Sequence, residues 1–149
     1  MLHNKRNAAL RLVALVLVLA MTLPLAVAAE TVQPRASAYL SSYSAYVYPA
    51  GNGKVQVCYT VSGTRYIDEL GVVRITLYES TDKSSWSTVK TFTYSAYPSM
   101  MSYNDAYHSG YVNYQGVAGR YYKAYVTVWG GDNGAGDNRY FWTSVKQAT

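Results

Sequence analysis

Beyond residue 35 no window of the chain repeats its apolar positions every 3.6 residues. Instead, apolar and polar residues alternate between turn signals spaced roughly ten to fifteen residues apart, which predicts an all-β domain of about seven strands. The first strand falls within Ala38–Tyr48 and stops at "PAGNG". In the second, Lys54–Ser62, Val55, Val57, Tyr59 and Val61 face inward and Gln56, Cys58 and Thr60 outward. A loop containing Arg65, Asp68 and Glu69 leads to the third strand, Val72–Glu79, with Val73, Ile75 and Leu77 inward and Arg74, Thr76 and Tyr78 outward. "STDKSSW" connects to a fourth strand, Trp86–Tyr94, and an irregular segment, "SAYPSMMSYND", follows, in which Met100 and Met101 serve as core fillers. The fifth strand spans Tyr107–Tyr114.

The sixth strand, in "GRYYKAYVTVWGG", separates two sets of side chains. Tyr122, Ala124, Val126 and Val128 share one face, and Tyr121, Lys123, Tyr125, Thr127 and Trp129 the other. The first set holds the β-branched residues and no charge, so it is the inner one. A loop, "GGDNGAGDN", precedes the last strand, Arg139–Val145.

This pattern predicts a seven-stranded antiparallel β-sandwich of the immunoglobulin or fibronectin III kind with Greek-key connections. "VQVCYTV" resembles the second strand of fibronectin III domains, with Tyr59 in the place of their buried tryptophan, and "ITLYESTDKSSWSTVKTF" is similar to their third and fourth strands. Tyr122 opens the sixth strand, where such sandwiches place a tyrosine-corner residue. Tyr59 and Tyr122 are therefore expected to be structural. The stretches "RASAYLSSYSAYVYPAGNGKVQV", "DELGV", "ESTDKSSWSTVKTF", "MMSYN", "HSGYVNYQG" and "YYKAYVTVWGG" together resemble a family of small secreted proteins from Gram-positive bacteria. That resemblance implies secretion and a sandwich, and it carries no activity and no functional residue.

The N-terminus changes the picture of charge and compartment. Lys5, Arg6 and Arg11 precede an apolar run, Leu12–Leu23, followed by Pro24 and Ala26-Val27-Ala28-Ala29. This is the layout of a secretory signal with an A-x-A cleavage site, expected over residues 1–28, ahead of a linker at 29–36 and one domain at 37–147. The run is shorter than the ~20 residues that span a bilayer, so no membrane anchoring is expected after cleavage. The only cysteine, Cys58, lies far downstream of any lipoprotein position, and "SVKQAT" carries no sorting motif, so release outside the cell is expected. Without the leader ten basic residues face eight acidic ones, too even a balance to argue for nucleic acid. A single cysteine forms no internal bridge, which leaves packing to hold the domain together.

Candidate chemistry is sparse. His108, with Asp105 three residues before it, supplies a base and its orienter, but no G-x-S-x-G elbow accompanies them. Asp68 and Glu69 are paired carboxylates, but adjacent strand residues point apart, and glycosidase chemistry needs two groups flanking a cleft. Asp132, Asn133, Asp137 and Asn138 offer oxygen ligands without the spacing of an EF-hand loop. Cys58, on the outer face, offers a thiol for pairing between molecules. No cofactor, metal site or catalytic residue is expected.

All 17 tyrosines lie beyond the leader. Tyrosine is both a strand former and an amphipathic contact residue, so an outer row of Tyr78, Tyr121, Tyr125 and Trp129 is the candidate ligand-binding surface. The expected function is a secreted, non-enzymatic binding or adhesion module for an extracellular glycan, cell-wall polymer or protein. A self-associating structural protein is the alternative, and a small secreted hydrolase the third reading.

Overall fold

A computed structural model of the protein describes residues 37–149. The leader expected over 1–28 and the linker over 29–36 lie outside the described residues. The described chain is all-β. Its strands are β1 (Leu40–Gly51), β2 (Lys54–Ser80), β3 (Ser87–Thr93), β4 (Met101–Gln115), β5 (Tyr121–Asp132), β6 (Ala135–Trp142) and β7 (Lys146–Gln147), with one 3-10 turn at Pro98–Met100. All pairings are antiparallel, and the seven-stranded sheet curls into a half-barrel.

The long strand β2 organises this sheet. Along Lys54–Ser62 it is hydrogen-bonded to β1 on one side and β4 on the other. Along Arg74–Glu79 its neighbours are β3 and β5. The sequence predicts a loop at Arg65, Asp68 and Glu69, but the chain stays extended there, and β4 resumes pairing from Ile67 to Gly71 after an irregularity at Ser62–Ile67. Two apolar anchors explain the difference. Ile67 and Leu70 are buried in the core, which holds the charged residues between them against the sheet instead of releasing them to solvent.

A second correction follows from register. Opposite β5 the pairing shifts between Val72 and Arg74, as a β-bulge does, and side-chain parity slips by one. Val72 is therefore the buried residue and Val73 only half-buried, while Ile75 and Leu77 point inward as predicted. Likewise β4 starts at Met101, not Tyr107, so "MSYND" is strand; Met100 and Met101 are both buried. The expected loop "GGDNGAGDN" is instead a tight hairpin. Asp132 pairs with Ala135 around Asn133 and Gly134, both at positive φ, the geometry a type I′ turn demands.

One core fills the curl. Val47 of β1, Val55, Val57, Tyr59, Val61, Ile75 and Leu77 of β2, Phe92 of β3, Val112 of β4 and the predicted inner set of β5 belong to a single buried cluster. At the C-terminal end Ala148 joins it, its N–H donating to Arg120 O at 2.9 Å. The inward set leaves the opposite face of β3, β2, β5 and β6 to solvent. That face holds the candidate site.

Candidate functional site

Register brings the outer side chains of three strands into rows. Tyr78 pairs with Lys123, and Tyr125 lies between Thr76 and Trp142. The Trp142 indole contacts both Tyr125, at 4.9 Å between ring centroids, and Tyr78, at 5.1 Å. Tyr78 and Tyr125 are thus joined through Trp142, which the expected row does not include. Trp142 stays half-exposed, at 50 %.

Lys123 is the hub of this group. Its ammonium lies 4.5 Å from the Trp142 ring centroid and 4.3 Å from that of Trp86. Each exposed cation–π contact contributes about 0.5–1 kcal/mol. The connection between β2 and β3 sets Trp86 in place. Asp82 accepts from the N–H groups of Ser84 and Ser85, Ser80 Oγ accepts from those of Asp82 and Lys83, and the Trp86 indole N–H donates to Lys83 O at 3.0 Å. Hydrogen bonds from Ser84 first, then from Ser85 and Ser80, hold the Asp82 carboxyl far below the usual carboxylate range. The same turn carries Lys83 over the Tyr121 ring, 4.5 Å from its centroid.

Trp129 sits apart from this group. Its indole lies down over the paired Gly131 and Gly136, so closely that a Cβ on either would meet the ring at 2.6 or 2.4 Å. Its N–H donates to Glu69 Oε2 at 2.9 Å. Trp129 then forms a wall of a cleft of about 250 Å³ with Glu69, Val73, Tyr94, Met101 and Asn138. The expected single row is therefore two stations, one around Trp142 and one around Trp129.

The two tyrosines expected to be structural are buried. Val117 N–H donates to Tyr122 Oη at 2.9 Å, while the Tyr122 hydroxyl donates to Glu79, which also binds the Arg120 guanidinium. Burial first, then the Glu79 hydrogen bond, pushes the Tyr122 phenol up to about 12. The Tyr59 hydroxyl donates to Ser99 O, and burial takes its phenol to about 12.

The remaining candidates are spent on structure. His108 Nε2 lies 3.0 Å from Ser99 O, whereas Asp105 accepts from Ser102 Oγ and the N–H groups of Ala106 and Tyr107, so base and carboxylate do not form a relay. Those hydrogen bonds, Ser102 foremost, lower the Asp105 pKa. Asp68 accepts from Asn133 N–H, Asp132 pairs with Arg65, and Asp137 accepts from Ser37 Oγ. Among the described residues no group of three or more His, Cys, Asp and Glu converges on a metal position. Cys58 is a half-buried free thiol between Tyr46 and Tyr111.

No family model matches this chain, and no curated protein matches it. Among solved structures it is similar to the crystal structure of a family 76 glycoside hydrolase from a bovine Bacteroides thetaiotaomicron strain, at a TM-score of 0.33 and 15 % identity. That match covers 71 % of this chain and 20 % of the hydrolase chain. It shows neither a shared family nor a shared activity.

Proposed function

We propose that this is an exported binding or adhesion module without catalytic activity, which engages an extracellular glycan or cell-wall polymer through the outer face of β2, β5 and β6. The observation that carries the reading is the exposed Trp142 indole bridging Tyr78 and Tyr125, with the Lys123 ammonium held against it. Aromatic faces stack on the apolar faces of sugar rings, and a neighbouring ammonium serves hydroxyl or anionic substituents. The apolar run and A-x-A site at the N-terminus support export, and the resemblance of several stretches to small secreted Gram-positive proteins supports membership in that family.

The finer fold belongs to the same reading. β2 divides its partners into a block of β1, β2 and β4 and a block of β3, β2, β5 and β6, with one core between them. Such a division, together with a tyrosine hydroxyl bonded to backbone five residues upstream, supports an immunoglobulin/fibronectin III-like sandwich.

The test is retention of purified protein on insoluble cell-wall polysaccharide, compared with a Tyr78→Ser, Tyr125→Ser, Trp142→Ser variant. The parent is expected in the bound fraction and the folded variant in the supernatant. Equal retention of both removes the aromatic face from the function.

A second reading, self-association, draws on the opposite face. Tyr46 and Tyr111 flank the Cys58 thiol there and are more than half exposed, at 53 % and 58 %. Concentration-dependent sedimentation without ligand distinguishes it from the first.

A further inference from the structure

The cleft beside Trp129 has a composition that the glycan-binding face does not share. Its walls are two aromatic rings, Trp129 and Tyr94, the Met101 thioether and the Val73 methyls; its polar groups are the Glu69 carboxylate and the Asn138 amide. Among the described residues no lysine or arginine lines it. Among the described residues Glu69 forms no ion pair and has one hydrogen-bond donor, the Trp129 indole, which holds Oε2 and leaves Oε1 without a partner there. Asp68 and Asp132 line an adjoining cavity that shares Glu69 and Trp129, and of these two aspartates only Asp132 has a cationic partner among the described residues, Arg65. The cleft therefore combines negative potential with π-faces and apolar walls.

We propose that this cleft binds an organic ammonium ion, with a methylated, trimethylammonium-like head as the favoured class. Three points of chemistry select it. An aromatic ring attracts a cation over its face, and the attraction grows when the cation sheds water cheaply, as a methylated ammonium does. A Ca²⁺ or Mg²⁺ ion asks for six or more oxygens, where this cleft offers one carboxylate and one amide, and among the described residues no group of three or more His, Cys, Asp and Glu converges there for a transition metal. A primary ammonium brings three N–H donors that need acceptors, more than the same two groups supply in good geometry, whereas a quaternary head brings none. Size agrees, because about 250 Å³ is below the range of pockets that enclose drug-sized ligands and suits a small head group whose tail leaves through the open side.

The roles are distinct. Glu69 supplies the countercharge, Trp129 the principal face, and Tyr94 and Met101 close the sides. Gly131 and Gly136 have no side chains because the indole must lie flat on the hairpin to present that face.

The experiment titrates purified protein with choline and with 3,3-dimethyl-1-butanol, the neutral carbon isostere of the same shape. The three tryptophan indole N–H resonances are followed by NMR. Choline is expected to saturate and to shift the Trp129 indole while leaving those of Trp86 and Trp142 in place, with the isostere at least tenfold weaker. Glu69→Gln, at unchanged melting temperature, is expected to weaken choline at least tenfold and to erase the difference between the two probes. The Tyr78→Ser, Tyr125→Ser, Trp142→Ser variant is expected to bind choline normally, so this site and the glycan-binding face stand or fall separately. Equal binding of choline and isostere, an unaffected Glu69→Gln protein, or no saturation up to about 50 mM choline, beyond the millimolar limit of useful affinity, each overturns the proposal.

Discussion

Removing a single oxygen tests the inner set of β5. Tyr122 is fully buried, and its hydroxyl both accepts from Val117 N–H and donates to Glu79. Tyr122→Phe leaves the ring packing intact, takes the acceptor from the Val117 amide and one donor from Glu79, which keeps Arg120. A stranded buried donor costs about 1–3 kcal/mol, and the half-exposed Val117 places this loss in the lower half, about 1–2 kcal/mol. At about 4 °C per kcal/mol for a domain of this size the melting temperature falls by about 4–8 °C. Tyr121 is the internal control. It points outward, its hydroxyl makes no hydrogen bond among the described residues, and Tyr121→Phe is expected to stay within about 0.5 kcal/mol of the parent. Gly116→Ala approaches the same corner from outside, because its Cβ would meet Tyr122 Oη at 2.4 Å. Combined with Tyr122→Phe it is expected to be non-additive by at least about 0.5 kcal/mol, since the oxygen that the methyl meets is gone. Urea unfolding followed by tryptophan fluorescence reads the four variants against the parent. Equal losses from Tyr121→Phe and Tyr122→Phe would refute the assignment of strand faces on which the core rests.

Two further outcomes follow from the same contacts. Tyr59 and Tyr122 hold their protons more tightly folded, at about 12, than unfolded, near 10, so their contribution is complete below about pH 10 and is lost as pH rises through 12. Unfolding free energy measured from pH 8 to 12 is expected to fall across that window, and ionisation of every tyrosine near pH 10 in the folded protein would contradict it. Gly136→Ala places a methyl 2.4 Å from the Trp129 ring and 2.6 Å from Gly130 O, where backbone cannot yield. A loss of about 1–3 kcal/mol is expected, with a red-shifted Trp129 emission as the indole leaves Glu69; unchanged emission and stability would mean the indole does not rest on the hairpin.

Alternation made the inner faces of the N-terminal half of β2 and of β5 legible, because Val55, Val57, Tyr59 and Val61 in one, and Tyr122, Ala124, Val126 and Val128 in the other, occupy every second position without interruption. It failed where the backbone adds or hides a residue. A bulge moves no letter in the sequence, so Val72 and Val73 look equivalent until their pairing with β5 is known. Charge misled at 65–69, where two buried aliphatics, Ile67 and Leu70, outweigh Arg65, Asp68 and Glu69. The Asn133-Gly134 pair did carry a hairpin signal, and the acidic and glycine residues around it obscured the strands on either side.

For the candidate site the limit was two-dimensional. Parity puts Tyr121, Tyr125 and Trp129 on one face, but which rings touch depends on cross-strand register and on what the neighbouring strand lacks. Trp142 joins Tyr125 because β6 pairs those two residues directly, and its strand was expected to begin four residues late, so the partner was out of place. Trp129 leaves the row because its own neighbours are glycines: the Gly131–Gly136 pair opens a bare patch of backbone that an indole covers, and Glu69 on β2 then fixes the ring edge. The same two absences that draw Trp129 away from the Trp142 group place it beside Glu69, a carboxylate with no cationic partner among the described residues. An aromatic face therefore became a cleft at one end and remained an exposed platform at the other. The two ends are expected to differ in ligand for that reason: ring stacking with an accompanying ammonium at Trp142, and countercharge with a flat π-face at Trp129.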